Sequence, residues 1–411
     1  MEKNQYKNTK LACYMTSFTM SAVVNLSPLL FVTFREMYGI SYTLMGLLVA
    51  INFGTQLLID LIFSFFTKYF NIEKTVRITP FLAFVGIVAY ACLPNIFPSQ
   101  AYLWITAGTI ISSVSSGLAE VLMSPVVAAI PAENPEREMS KLHSMYAWGV
   151  VIVVVFSTLF LNVFGRTNWM YLAILWSLIP FVAWILYLKS DIPHLEIECG
   201  SKQGFKISGG LMLCVMCIFL GGASECTMSQ WVSGFAEKAL GISKVMGDIF
   251  GMALFGLMLG MGRTLYSKIG KNVINVMLVG MIGAFICYTV AGICLNSVVA
   301  LIACGVAGLC TSLLWPGTLI YAEEKLPGMG VAAYALLAAG GDLGASAVPQ
   351  MVGIIADTVS ASDFAVKFGN TAGLGAEQIG MRMGILVAGI FPLLGVALIL
   401  FMKTFFKRCC K

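Results

Sequence analysis

The chain has 411 residues, of which 59% are hydrophobic and only 11% charged, with a formal net charge of +5. That balance excludes a soluble globular enzyme and marks a membrane protein. The positive charge is spread over short polar segments with no basic run interleaved with aromatics, which argues against a nucleic-acid partner and for membrane topology.

Residues 1–10 carry Lys3, Lys7 and Lys10. The apolar stretch that follows runs to about Phe34 without a small-residue cleavage pattern, so it is expected to be a retained first span and not a signal peptide. Runs long enough to cross a bilayer are predicted at 11–34, 44–67, 78–98, 101–127, 145–164, 169–188, 207–234, 247–267, 273–294, 297–322, 331–357 and 380–403, twelve in all. Cations set the orientation. With the N-terminus inside, 19 of the 25 Lys and Arg fall on the cytoplasmic side, Arg263 and Lys141 among them, and only Arg35, Arg166, Lys238, Lys244, Lys367 and Arg382 fall outside. Both termini are therefore predicted to be cytoplasmic, in a plasma or inner membrane.

The most polar internal stretch, with Asp191, Glu196 and Glu198, separates two near-equal halves. The expected organisation is a cytoplasmic segment 1–10, a six-helix bundle 11–188, a linker 189–206, a second six-helix bundle 207–403 and a tail 404–411. A faint echo links the halves: Phe53 and Gly54 precede the basic loop at Lys68, as Phe250 and Gly251 precede the one at Lys268. A duplicated bundle of this kind places solute sites between repeats near mid-membrane.

Four carboxylates fall well inside spans: Asp60, Glu120, Glu225 and Asp342. A charge at that depth costs at least about 2.5–3.5 kcal/mol, so the default reading is a water-filled cavity or a bundle interior. Glu120 is the first-choice proton-coupling and solute-binding group, set among small residues in ISSVSSGLAEVLMSP, residues 111–125. Glu225 is the second choice, and helical spacing sets Ser229 and Gln230 near it. Carboxylate, hydroxyl, amide and the Trp231 indole are what a sugar-like solute needs, although Trp231 serves equally as an interfacial anchor. Asn25, beside Ser27 and Pro28, and Trp315, beside Pro316 and Gly317, are further cavity-lining or packing candidates. Asp60, Asp342 and Arg263 are read as gating or interdomain groups, with a structural latch favoured for Asp60 and a kinked, glycine-rich span for Asp342, which precedes Pro349.

No metal, cofactor or nucleophilic-enzyme motif is present: there is no HExxH, GxSxG or P-loop, most cysteines fall singly in apolar runs, and the CxxC spacing of Cys214 and Cys217 lies in an apolar helix with no second pair and no nearby histidine. The chain is expected not to be an enzyme, to take no cofactor and to run on a gradient.

The stretches GLAEVLMSP (117–125), PEREMSKLH (135–143) and YAWG (146–149), with WPGTL (315–319), GGDLG (340–344) and GIIAD (353–357), resemble the major facilitator superfamily and, within it, the fucose permease-like proton symporters. The resemblance implies an all-α, polytopic membrane fold of twelve helices in two six-helix bundles, with the first, fourth, seventh and tenth lining the cavity. It also implies a monomer in the bilayer whose partners are a small solute and protons. It aligns Glu120 with a carboxylate that acts in proton coupling and sugar contact. Two departures stand out: the first span is neutral at Asn25 and Ser27, and the loop signature after the second span survives only as SFFTKYFN, residues 64–71. The expected function is alternating-access cotransport of a small polar, sugar-like solute with protons. The alternative is proton-driven export of lipophilic compounds, for which 23 Met and 27 Phe supply adaptable apolar surfaces.

Overall fold

A computed structural model describes residues 5–66, 69–131, 135–193, 208–269, 272–326 and 331–409. The expected linker 189–206 lies largely outside these, as do Lys68 and residues 1–4. Among the described residues every regular element is helical. The helices are α1 (Lys7–Tyr38), α2 (Tyr42–Phe66), α3 (Ile72–Ile96), α4 (Ala101–Ala129), α5 (Pro135–Phe164) and α6 (Trp169–Leu188), followed by α7 (Gly209–Lys238). Helix α8 runs through Lys244–Gly247, a π-helical Asp248–Ala253 and Leu254–Ile269; α9 is Val273–Ile293, and α10 is Ser297–Thr311 with Leu314–Lys325. Helix α11 is Val331–Ser360, and α12 is Ala376–Ala388 with Ile390–Cys409.

Eleven helical stretches among the described residues are long and apolar enough to cross a membrane. Helix α11 has the length, 30 residues, but Asp342, Gln350, Asp357 and its glycines leave it less apolar than the rest. Two features depart from the predicted spans. The tenth is broken at Ser312 and Leu313, and the segment after α11 holds a short helix, Asp363–Ala372, capped by Ser362.

The chain forms two compact units, one of Met1–Gly39 and Gly54–Ser201, the other of Ile40–Phe53 and Lys202–Lys411. In the first, α1 stops where Gly39 adopts a left-handed φ of 66°, a conformation that disfavours any side chain, and its N–H returns to the Arg35 carbonyl. Helices α3 and α4 approach backbone to backbone. A β-carbon added at Gly86 would lie 2.5 Å from the Ser112 nitrogen, and one at Gly108 would lie 2.5 Å from that of Tyr90. In hydrocarbon, where burial gives helices no water-driven reason to associate, such close packing is what holds them. Ser115 fastens the pair by donating to the Thr79 carbonyl at 2.6 Å, and Trp176 of α6 donates to Ser157 of α5 at 2.9 Å. A core of Ala12, Leu122, Val126, Leu142 and Tyr187 fills the end opposite Gly39.

That same end carries an ionic knot. Glu138 of α5 accepts from the Tyr14 hydroxyl at 2.6 Å and pairs with Lys10 at 3.0 Å, both from α1, and with Lys141 one turn on at 2.9 Å. The Tyr14 hydroxyl, then the Lys141 and Lys10 ammonium groups, hold the Glu138 carboxyl down at about 2.

The second unit is built around α7 and α11. Gly340 and Gly344 of α11 seat against Val215 and the Phe219 carbonyl of α7, over a core of Leu211, Cys217, Met277, Leu314 and Ile399. Asp357, near the end of α11, accepts from the backbone N–H groups of Tyr42 at 3.2 Å and Thr43 at 2.6 Å. The first N–H groups of an α-helix point beyond its hydrogen-bond ladder, so the carboxylate supplies an N-cap from another helix.

Two outcomes test this packing. Gly108→Ala should destabilise the protein by about 1–3 kcal/mol through overpacking against Tyr90, even though alanine is the better helix former. Its melting temperature in detergent should fall, whereas substitution at an open glycine such as Gly260 should not lower it. Glu138 has a folded value of about 2 against an ordinary 4.5, so its stabilisation is complete above about pH 4.5 and fades as pH falls toward about 2. Glu138→Gln should therefore lower the melting temperature at neutral pH, with the deficit shrinking over that acid window.

Candidate functional site

In the second unit, three helices converge on one guanidinium. Arg263 of α8 donates from Nη2 to both carboxylate oxygens of Glu225 on α7, at 3.0 and 3.3 Å, and from Nε to the Ser312 carbonyl at 3.1 Å. Ser312 stands in the break of α10, where interruption of the ladder leaves carbonyls in need of donors. Gly262 makes the approach possible, since a β-carbon there would collide with the Ser312 side chain. Glu225 lies sixteen residues into the 30-residue α7, at mid-span, and is 14% exposed; Arg263 is 40% exposed. The sequence reading placed Arg263 among the cytoplasmic cations. In the structure its long side chain reaches inward to pair with Glu225.

One turn beyond the break, the half-buried ring of Trp315 rests on bare backbone. A β-carbon at Gly341 of α11 would enter the ring, and one at Gly222 would lie 3.1 Å from it. Gly222 precedes Glu225 by one turn, and Asp342, buried, follows Gly341. Glu225, Asp342 and Arg263 all act electrostatically on the Cys226 thiol, which places the three charges in one neighbourhood. Tyr288 of α9 closes the cluster by donating to the Ser224 carbonyl at 2.8 Å.

The polar set expected around Glu225 divides. Ser229 is half-buried and donates to the Cys226 carbonyl at 3.0 Å. Gln230 is buried, and Trp231 is fully so, its indole donating to the Pro349 carbonyl at 3.0 Å and its ring edge-on to Tyr42 at 6.0 Å. Trp231, expected as a binding plate or an interfacial anchor, has no exposed face in this structure. It fills the α7–α11 contact and satisfies the carbonyl at the α11 proline.

In the first unit, Glu120 sits nine residues before the end of α4, about 14 Å of helix rise from that end. Its side chain is exposed, at the margin of a stripe that includes Leu103, Ile110 and Ala128. Among the described residues it has no hydrogen-bond or ion-pair partner. Small neighbours surround its base: Ser116 and Ala119 are buried, and a β-carbon at Gly117 would press on Ile59 and Gln56 of α2. Asn25, expected to contact solute, is buried and donates to the Ser21 carbonyl of its own helix at 2.8 Å. Nearby, Ser27 and Tyr90 share a hydrogen bond of 3.0 Å in a small pocket also lined by Thr109 and Ser112. Asp60 is buried, six residues before the end of α2.

Charges that the sequence reading missed or misplaced are structural. Lys244 and Arg382, counted on the outer side, are both buried. Lys244 pairs with Asp248 at 3.2 Å, and Asp248 accepts from Ser233, so the charges are compensated inside the fold. The i,i+4 spacing of Lys244 and Asp248 was the available signal. Arg382 donates to the carbonyls of Cys294, at 2.7 Å, and Ala239, at 3.5 Å, capping the C-terminal ends of α9 and α7.

The model of the Major Facilitator Superfamily matches residues 11–349. No curated protein is significantly similar in sequence. Among solved structures, a bacterial homolog of the human lysosomal transporter Spinster, inward-facing and occupied, is 13% identical over 98% of this chain and 97% of its own, with a TM-score of 0.76. A D-xylose-proton symporter is 14% identical over 94% and 97%, with a TM-score of 0.73. The E. coli fucose:proton symporter FucP is 15% identical over 95% and 99%, with a TM-score of 0.57. At such identities the likeness is one of fold, whereas the family match runs through most of the sequence: this chain belongs to the Major Facilitator Superfamily, a family of multi-pass membrane transporters.

Proposed function

We propose that this transporter moves a small polar, sugar-like solute together with protons, by alternating access, with Glu120 and Glu225 as the proton-binding groups. The observation that carries the reading is Glu120: a mid-span carboxylate, exposed, with no partner among the described residues. Such a group is costly facing lipid and is tolerated where water reaches it. Without a counter-ion it crosses a low-dielectric barrier only as its neutral acid, so its movement between two aqueous sides carries a proton.

The excess of cations on one set of loops supports cytoplasmic termini in a plasma or inner membrane, and the fold shared with xylose and fucose proton symporters supports a sugar-like solute. Two six-helix bundles, residues 11–188 and 207–403, with a cytoplasmic linker between them, form the moving parts, and the working unit is a monomer.

The test is uptake into proteoliposomes of a labelled panel of neutral and acidic monosaccharides, with the outside made more acidic. Accumulation should approach about tenfold per pH unit for each coupled proton. Glu120→Gln should reduce it to simple equilibration while solute exchange persists. Full accumulation in that variant removes Glu120 from coupling, and proton-driven extrusion of lipophilic cations with no sugar flux overturns the solute class.

A further inference from the structure

Resting on the reading that solute and proton move together, we infer that the solute carries a single carboxylate, and that Arg263 receives it in exchange for Glu225. Arg263 is half-satisfied. Its Nε and Nη2 are engaged, but among the described residues Nη1 has no partner, and the side chain is 40% exposed. Glu225 rests both oxygens on one nitrogen and leaves the two-nitrogen fork, the strongest arginine–carboxylate geometry, unused.

The exposed side of Arg263 is turned away from lipid. Leu257, Met261 and Leu265 form an exposed apolar stripe along α8, and Arg263, two residues on from Met261, projects about 200° round the helix from it. Gly260, on the flank between them, has no described atom within 4 Å of where a β-carbon would stand. A guanidinium that is exposed opposite the lipid stripe and next to open space faces a wet recess. The half-buried ring of Trp315, laid on the glycines one turn from Glu225, supplies a flat apolar surface for the C–H face of a sugar ring.

Charge decides the class. The Glu225–Arg263 pair is neutral, and the other groups around it are the buried Asp342, the Cys226 thiol and the Tyr288 hydroxyl, which is committed to Ser224. None adds a positive charge. Charge balance then requires an acid of the site to take up a proton with an incoming anion; Glu225 is the one whose protonation also releases Arg263, so one monoanion and one proton enter as a neutral set. A neutral sugar would leave the pair intact and bind no proton here, and a dianion would exceed the single cation. The chemistry fits a hydroxylated monocarboxylate, that is, a sugar acid of the uronate or aldonate type.

Calorimetric titration of the purified full-length protein with glucuronate, gluconate and glucose, across about pH 5 to 8 in buffers of different ionisation heat, tests this. A sugar acid should bind with uptake of about one proton, its affinity weakening about tenfold per pH unit on the alkaline side, and should bind more tightly than glucose. Glu225→Gln should bind it with no proton uptake and a flat pH profile. Arg263→Gln should weaken it at least about tenfold, with Arg263→Lys intermediate because a point charge replaces the fork. Should Arg263→Gln fail to fold, as judged by melting and gel filtration, the lysine and glutamine variants at 263 and 225 decide between them. Glucose binding as tightly as both acids, a wild-type pH slope in Glu225→Gln, or acid binding indifferent to Arg263 overturns the inference. Proton-driven uptake of neutral sugars alone overturns it too while leaving the transport reading intact, whereas that reading fails separately if no sugar, neutral or acidic, follows the proton gradient.

Discussion

A charge cannot rest unpaired in hydrocarbon, and the placement of ionisable groups in this protein follows from that constraint. Lys244 is held by Asp248, Arg263 by Glu225, and Arg382 by the carbonyls of Cys294 and Ala239. Asp357 sits on the N–H groups of Tyr42 and Thr43, where a helix start offers partial positive charge. In each case the compensating group comes from the nearest place where backbone or side chain can supply the opposite sign. Glu120 stands apart among the described carboxylates at mid-span, exposed and without such a partner.

Backbone irregularity follows the same logic. The break at Ser312 and Leu313 frees carbonyls, and Arg263 takes one of them. The proline in α11 disturbs its ladder, and the Trp231 indole takes the Pro349 carbonyl. The π-helical turn of α8 coincides with Asp248 and its partners Lys244 and Ser233. Where regular helix would have satisfied the backbone by itself, the chain instead spends side chains on it, and two of the three places adjoin charged groups. An interrupted helix can remain in a membrane only where protein or water satisfies its loose ends, so these points also mark where the helices are not simply lipid-facing rods.

Much of this was legible before any coordinates. Hydropathy is a property of contiguous residues, so membrane class and nearly all the spans could be read directly, and the depth of Glu120 and Glu225 followed from counting. What could not be read was pairing. Glu225 and Arg263 are 38 residues apart and Asp357 and Tyr42 are 315 apart, so no local spacing announces either contact. Burial was equally silent for aromatics: Trp231 and Trp315 have the same composition-level signature, yet one is sealed and the other half open. Cations near span ends misled for a related reason. A long lysine or arginine side chain reaches several ångströms from its backbone position, so Lys244, Arg263 and Arg382, each at or near a predicted span end, carry their charge into the fold.

The contrast between the two mid-span glutamates would give the proposed mechanism its asymmetry. Glu225 belongs to a neutral pair and can change its charge only if something else satisfies Arg263, which ties any proton it takes to the arrival of an anion. Glu120 has no hydrogen-bond or ion-pair partner among the described residues. A transporter with only the first kind of site would bind protons solely with its solute, and one with only the second would risk carrying protons without it. On the proposed reading, holding one carboxylate of each kind would let the first set solute choice and the second set direction; the structural basis for that division is Arg263 beside one acid and no described ion-pair partner beside the other.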